Sequence, residues 1–214
     1  MRAEEFYEKV RAEKVIAIVR GVERGDIADV GEALYAGGIR LMEVTCNTPG
    51  FAEMIGILCE RTAGRMVIGA GTVITRRLCE EALGAGAKYI IAPDVNEEVV
   101  EYCVGKDVGV IPGGATATEI LTAGRCGAKM VKIFPARAIG AEQIRLLRGP
   151  IDNLDFVAVG GVRLNNVDDF LAAGCIGIGI GGEVVNREIV EGGRYKQITQ
   201  RAREYVEKLK GQQG

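Results

Sequence analysis

Eight short runs rich in Val and Ile recur along this chain, their starts about 19 to 26 residues apart, and the segments between them carry apolar residues at helical period. The runs are VIAIV (15–19), LMEVT (41–45), MVIGAGT (66–72), YIIAP (89–93), VGVIPG (108–113), MVKIFP (130–135), FVAVGG (156–161) and GIGIGG (177–182). Between them lie GDIADVGEALYAGG, TRRLCEEALGAGA, NEEVVEYCVGK and LNNVDDFLAAGC, most closing on a glycine suited to a left-handed helix end. Parallel neighbours need a crossover helix, so each interval has the length of one strand–helix unit. Eight units predict an α/β chain closed into a (β/α)8 barrel; an open doubly wound sheet is the alternative that pattern alone leaves standing. No linker or low-complexity stretch interrupts the array, which predicts one domain over 1–214. Further helices are expected near 2–12 and 195–210, capping the barrel.

Composition narrows the chemistry. The 214 residues contain no histidine, no tryptophan and no serine, so histidine bases, serine triads and ordinary zinc sites are excluded. Lys, Glu, Asp, Cys, Tyr and Thr remain to do chemistry. Six cysteines are scattered without a CxxC pair and read as small buried hydrophobes in a reducing compartment. A net charge of −2 offers no basic face for nucleic acid, and no apolar run approaches the roughly 20 residues of a membrane span. The charged N-terminus lacks a signal-peptide pattern, which points to the cytoplasm.

In a barrel of this kind polar residues at the C-terminal strand ends need a functional reason. Sorting those ends yields Arg20, Glu43, Thr45, Asn47, Thr72, Pro93, Thr116, Lys132 and the pairs Gly160–Gly161 and Gly181–Gly182. Glu43 and Lys132 stand within apolar strands, and the period-two alternation turns both toward the barrel interior; Lys129 faces the other way. One reading is a buried ion pair that fixes two strands. The other is chemical: desolvation favours the neutral amine of Lys132, a nucleophile toward carbonyls, with a carboxylate beside it to move protons. The glycine pairs, each leading toward a helix start after the last two strands, offer backbone N–H groups to an anion such as phosphate.

EVTCNTP, GAGTV, PGGATATE, VKIFPA and VGGV, in this order and spacing, resemble the class I family of 2-keto-3-deoxy-6-phosphogluconate and 4-hydroxy-2-oxoglutarate aldolases, from about Val15 to Val185. The resemblance implies that Lys132 forms the Schiff base and Glu43 is the acid/base. It further implies that Thr72 and Asn47 help hold the pyruvate carboxylate, that Phe134 and Pro93 line the pocket, and that Arg20 reaches the distal end of a small 2-keto acid substrate. It implies no cofactor or metal and a homotrimer. An isomerase or epimerase on the same barrel, or a non-catalytic sugar-phosphate binding barrel, are the alternatives.

Three departures bear on the substrate. Asn47 stands where some members carry arginine, leaving neutral donors for the carboxylate. Gly182 is followed by Glu183 where many members have serine, which removes a hydroxyl and adds a negative charge beside the anion site. Val159 replaces a threonine whose hydroxyl could sense the C4 configuration, and GGATATE with KIFPARAIG is closer to the 6-phosphogalactonate branch.

Overall fold

The computed structural model describes residues 1–211, so the last three of the span 1–214 lie outside it. Nine parallel strands form one sheet: β1 (Val15–Val19), β2 (Leu41–Thr45), β3 (Val67–Gly71), β4 (Tyr89–Ile91), β5 (Gly109–Ile111), β6 (Gly113–Gly114), β7 (Met130–Ile133), β8 (Asp155–Val159) and β9 (Cys175–Ile180). Their order, β5-β4-β3-β2-β1-β9-β8-β7-β6, begins and ends on two strands separated by a single residue, Pro112. Proline has no N–H to give a ladder, so the fifth run is cut in two. Its first half pairs with β4 and its second with β7, while the Pro112 carbonyl still accepts the Lys132 N–H at 2.8 Å. The sheet therefore closes on itself, and the open-sheet alternative falls.

The connections follow from local chemistry. Helices Ile27–Ala36, Arg76–Gly84, Ala117–Arg125 and Val167–Ala172 are each followed by a glycine at positive φ, namely Gly38, Gly86, Gly127 and Gly174. Such a residue stops the helix and turns the chain back to the sheet without the steric penalty of a Cβ. After Glu97–Gly105 the same position is Asp107, φ 55°, a residue type that tolerates this region. At the N-termini Thr75, Asn96 and Thr116 accept hydrogen bonds from Leu78, Val99 and Glu119 N–H groups. Thr116, sorted among the strand ends, is thus a helix cap.

One apolar layer lies between the sheet and its helices, and a second fills the barrel. The N-terminal helix Ala3–Glu13 closes the bottom. Its Phe6 is buried and stacks on Tyr89 with ring centroids 4.4 Å apart at 16°. The C-terminal helix Tyr195–Lys210 does not cap the barrel as expected. It lies along helix Ile27–Ala36, with Thr199 Oγ1 donating to the Ala33 carbonyl at 3.0 Å and Tyr195 donating to Asp26 at 2.7 Å. It is the outer-ring helix that follows the last strand, as the connection rule requires.

Candidate active site

Strand alternation sends Glu43 and Lys132 into the barrel together, where they share an enclosed interior with Ile16, Ile18, Ile91, Ile111 and Val157. Glu43 is 1% and Lys132 4% exposed, whereas Lys129 is at the surface. Among the described residues neither of the two inward groups enters an ion pair, and Glu43 Oε2 accepts no hydrogen bond. A pair that served to fix strands would be closed; this one is open.

The surroundings shift both groups. Burial pushes the Glu43 carboxyl up to about 7, with Lys132 and Arg20 opposing. Burial lowers the Lys132 amine, Glu43 opposes that, and Arg20 lowers it further. Low dielectric penalises both charged forms, which favours the neutral Lys132 amine relative to a solvated lysine. Lys132 Nζ lies 4.7 Å from the centroid of the Phe134 ring, which orients it toward the open end.

Above them is a cavity of about 460 Å³ lined by Arg20, Lys132, Phe134, Val159, Gly160, Gly161, Gly181 and Gly182, together with Glu183 and Asn186. Arg20 reaches over it and donates to Thr72 Oγ1 at 3.2 Å. Thr72 adopts φ 57°, a left-handed conformation that costs a β-branched residue roughly 1–2 kcal/mol and is concentrated at functional sites. Asn47 is exposed in the turn after β2, Pro93 is half-buried after β4, and Thr72 meets the cavity through its bond to Arg20; none of the three is among the residues lining it.

The glycine pairs differ from expectation. Neither opens directly onto a helix: Gly161 is followed by a turn before Val167–Ala172, and Gly182 by a turn before Arg187–Glu191. Their own geometry is specific instead. Gly160 and Gly161 have φ 95° and 77°, and a Cβ on Gly161 would come 2.6 Å from Arg137 Cβ. Asn166 and Asn186 close the two turns symmetrically, donating to the Gly161 carbonyl at 3.0 Å and the Gly182 carbonyl at 3.1 Å. Glu183 pairs with Arg163 at 3.0 Å, so its charge is partly compensated at the rim.

Thr48, Asn166 and Asn186 were not legible as site residues. Thr48 is buried, shares a 3.0 Å hydrogen bond with Thr45, and accepts the Gly21 N–H at 3.0 Å. It ties the loop carrying Arg20 to the end of β2.

A closed barrel with an unpaired lysine and carboxylate beneath a glycine-lined cavity defines a carbon–carbon lyase of the Schiff-base type. More particularly, the chain belongs to the KDPG and KHG aldolase family, whose model matches residues 6–201. It is 37% identical over 196 residues to the 2-dehydro-3-deoxy-phosphogluconate aldolase of Treponema pallidum (strain Nichols), covering 91% of each chain. It is 34% identical over 172 residues to the 2-dehydro-3-deoxy-6-phosphogalactonate aldolase of Escherichia coli K12, covering 79% of this chain and 83% of that one. Among solved structures, the Legionella pneumophila KDPG aldolase with pyruvate captured as a covalent carbinolamine superimposes with a TM-score of 0.85 at 29% identity, covering 90% of this chain and 94% of that one.

Proposed function

We propose that this aldolase cleaves a 2-keto-3-deoxy-6-phospho sugar acid, of the phosphogluconate or phosphogalactonate type, to pyruvate and glyceraldehyde 3-phosphate. The observation that carries it is the open Glu43–Lys132 pair, both inward and both displaced toward neutral pH. The neutral Lys132 amine attacks C2, and loss of water leaves a protonated iminium. Glu43 takes the C4 hydroxyl proton while the electrons of the C3–C4 bond pass into the iminium, releasing the aldehyde and an enamine. Protonated Glu43 then returns the proton to C3, and hydrolysis frees pyruvate and the amine. Arg20 and Phe134 shape the substrate's path, with Thr72 holding Arg20 in place; Gly160, Gly161, Gly181 and Gly182 receive the phosphate; Asn47 and Pro93 act through their loops. No cofactor or metal enters this scheme.

Borohydride trapping with pyruvate tests the reading. A mass gain at Lys132, lost in Lys132→Ala and retained in Lys129→Ala, is expected; turnover that survives Lys132→Ala would remove it. An isomerase, an epimerase or a binding barrel would give no adduct.

The phosphogalactonate epimer is a second reading, favoured by Val159 lining the cavity. Valine offers no hydrogen bond to rank the C4 alcohols, and one neutral contact is worth roughly 0.5–1.5 kcal/mol, about 2- to 13-fold. The two epimers should therefore differ little in kcat/KM. A preference above about 100-fold for the phosphogluconate epimer exceeds what the missing contact allows.

The working form is proposed to be a cytoplasmic homotrimer. In support, all six cysteines are free, no described helix is long and apolar enough to cross a membrane, and outer helices expose apolar side chains. A neighbour with TM-score 0.87 and 30% identity is part of a cage designed by fusing symmetric oligomeric domains; the match covers 92% of this chain and 72% of that one.

A further inference from the structure

Two buried side-chain atoms among the described residues have no hydrogen-bond partner, Glu43 Oε2 and the Tyr89 hydroxyl. They belong to neighbouring positions. Glu43 on β2 is in register with Gly69 on β3, and β3 pairs Ala70 with Ile90, which sets Tyr89 beside Gly69 from the other side. The Tyr89 ring crosses over Gly69, where an added Cβ would strike Tyr89 Cζ and Cε2. The Glu43 carboxylate leans over Gly71, where an added Cβ would strike it instead. These two glycines share the inward face of β3, about 7 Å apart along the strand. β3 therefore presents no side chain between the phenol and the carboxylate. The Tyr89 ring, rooted on β4, lies over Gly69 of β3, the residue in register with Glu43 on β2, and the Glu43 charge acts on the phenol.

Packing does not explain that hydroxyl. The stacking on Phe6 is made by the ring, and a phenylalanine would make it equally. A buried hydroxyl without a partner is a cost that calls for a reason.

We propose that Tyr89 is a positioning residue for Glu43: its hydroxyl donates to the ionised carboxylate, directly or through one water molecule, holding the charged form that takes the C4 proton. This rests on the reading of Glu43 as the acid/base. The groups facing Glu43 are Lys132 from β7, Arg20 from the end of β1, Tyr89 from β4 and Cys46 just beyond β2. Cys46, pushed up to about 12 by burial and by Glu43, stays a neutral thiol. Burial and the Glu43 charge hold the Tyr89 phenol well above its ordinary range, so it remains a donor wherever the enzyme works. Lys132 and Arg20 approach the carboxylate as cations or as substrate partners. Once Lys132 is an iminium, the neutral groups facing Glu43 are the Cys46 thiol, a weak donor, and the Tyr89 phenol, a strong one.

Carbon-13 NMR of carboxyl-labelled glutamate, with the Glu43 signal assigned by its loss in Glu43→Gln, reads the titration directly. In Tyr89→Phe the Glu43 midpoint should rise by roughly half a unit to one unit, because the charged form loses a donor. In the unsubstituted protein, the Tyr89 Cζ signal should move with the same midpoint as Glu43, a readout that needs no variant. The acid limb of kcat/KM in Tyr89→Phe should shift up with it. A midpoint that stays or falls in Tyr89→Phe, or a Tyr89 Cζ signal indifferent to the Glu43 titration, overturns the proposal. Turnover that survives Glu43→Gln instead defeats the reading of Glu43, whatever Tyr89 does.

Discussion

Glu43 concentrates the conflict between stability and chemistry. Its carboxyl, pushed up to about 7, is raised from an ordinary value of 4.5, so the folded state holds a proton that the unfolded chain releases. For an acid shifted upward the stability contribution is present at low pH and lost as pH rises from 4.5 through 7, about 3 kcal/mol across that window. Glu43→Gln has no such proton. Its melting temperature should therefore gain on the unsubstituted protein between pH 5 and 7.5, while cleavage falls on the order of 100- to 10,000-fold. Thermal melts and kinetics on one preparation check both, and a constant melting difference across that range contradicts the shifted carboxyl. Activity has the opposite pH sense. Neutral Lys132 and ionised Glu43 are both favoured by rising pH, so kcat/KM should climb through about 7. At this scale the sequence was informative where a charge interrupts an apolar strand, since period-two alternation assigned Glu43 and Lys132 to one side. It was silent on Tyr89, which opens the apolar run YIIAP and reads there as ordinary strand, and on the left-handed backbone of Thr72, which has no local signature in a β-branched residue.

Among the elements, the eight apolar runs and the helix ends were legible because each is set locally, by Val- and Ile-rich stretches and by glycine at positive φ. The division of the fifth strand at Pro112 was not read, although the proline was in plain view; an edge or a break is the only place a sheet admits it. The role of helix Tyr195–Lys210 was also missed, because its partner, helix Ile27–Ala36, is remote in sequence. The two glycine loops can be separated by substitution. Gly161 is held at positive φ against Arg137, so Gly161→Ala should lose roughly 1–2 kcal/mol of stability. Among the described residues, Gly182 has no atom beyond its chain neighbours within 4 Å of an added Cβ, and it has no left-handed φ. Gly182→Ala should melt within about 1 °C of the unsubstituted protein, since surface changes without clash are near neutral. Its methyl group would meet only what binds there. KM for the phosphorylated acids should rise severalfold, while KM for unphosphorylated 4-hydroxy-2-oxoglutarate should not; equal effects on both would remove phosphate from this loop.

The whole molecule presents an apolar surface that one barrel does not use. Leu146, on outer helix Ala141–Arg148, is 68% exposed and lies with Ile139, Leu147 and Pro150 around an open concavity. Ile74, Val104 and Leu121 are also exposed, though less so. Isolated exposed leucines are ordinary, but one set with Ile139, Leu147 and Pro150 in a hollow that Glu142 and Gln143 also line is the kind of surface a neighbouring copy covers in a symmetric ring. Leu146→Glu gives the test. On the surface of a monomer the change is worth no more than about 0.5 kcal/mol either way. In a trimer it buries one charge in each of the three interfaces, and each must be desolvated without a partner. Light scattering at micromolar concentration should give the mass of three chains for the unsubstituted protein and a smaller species for Leu146→Glu, with Lys132 still trapped by pyruvate because the reacting groups come from one barrel. A monomer in both cases removes the assembly. A trimer in both keeps the assembly but moves its interface off this helix.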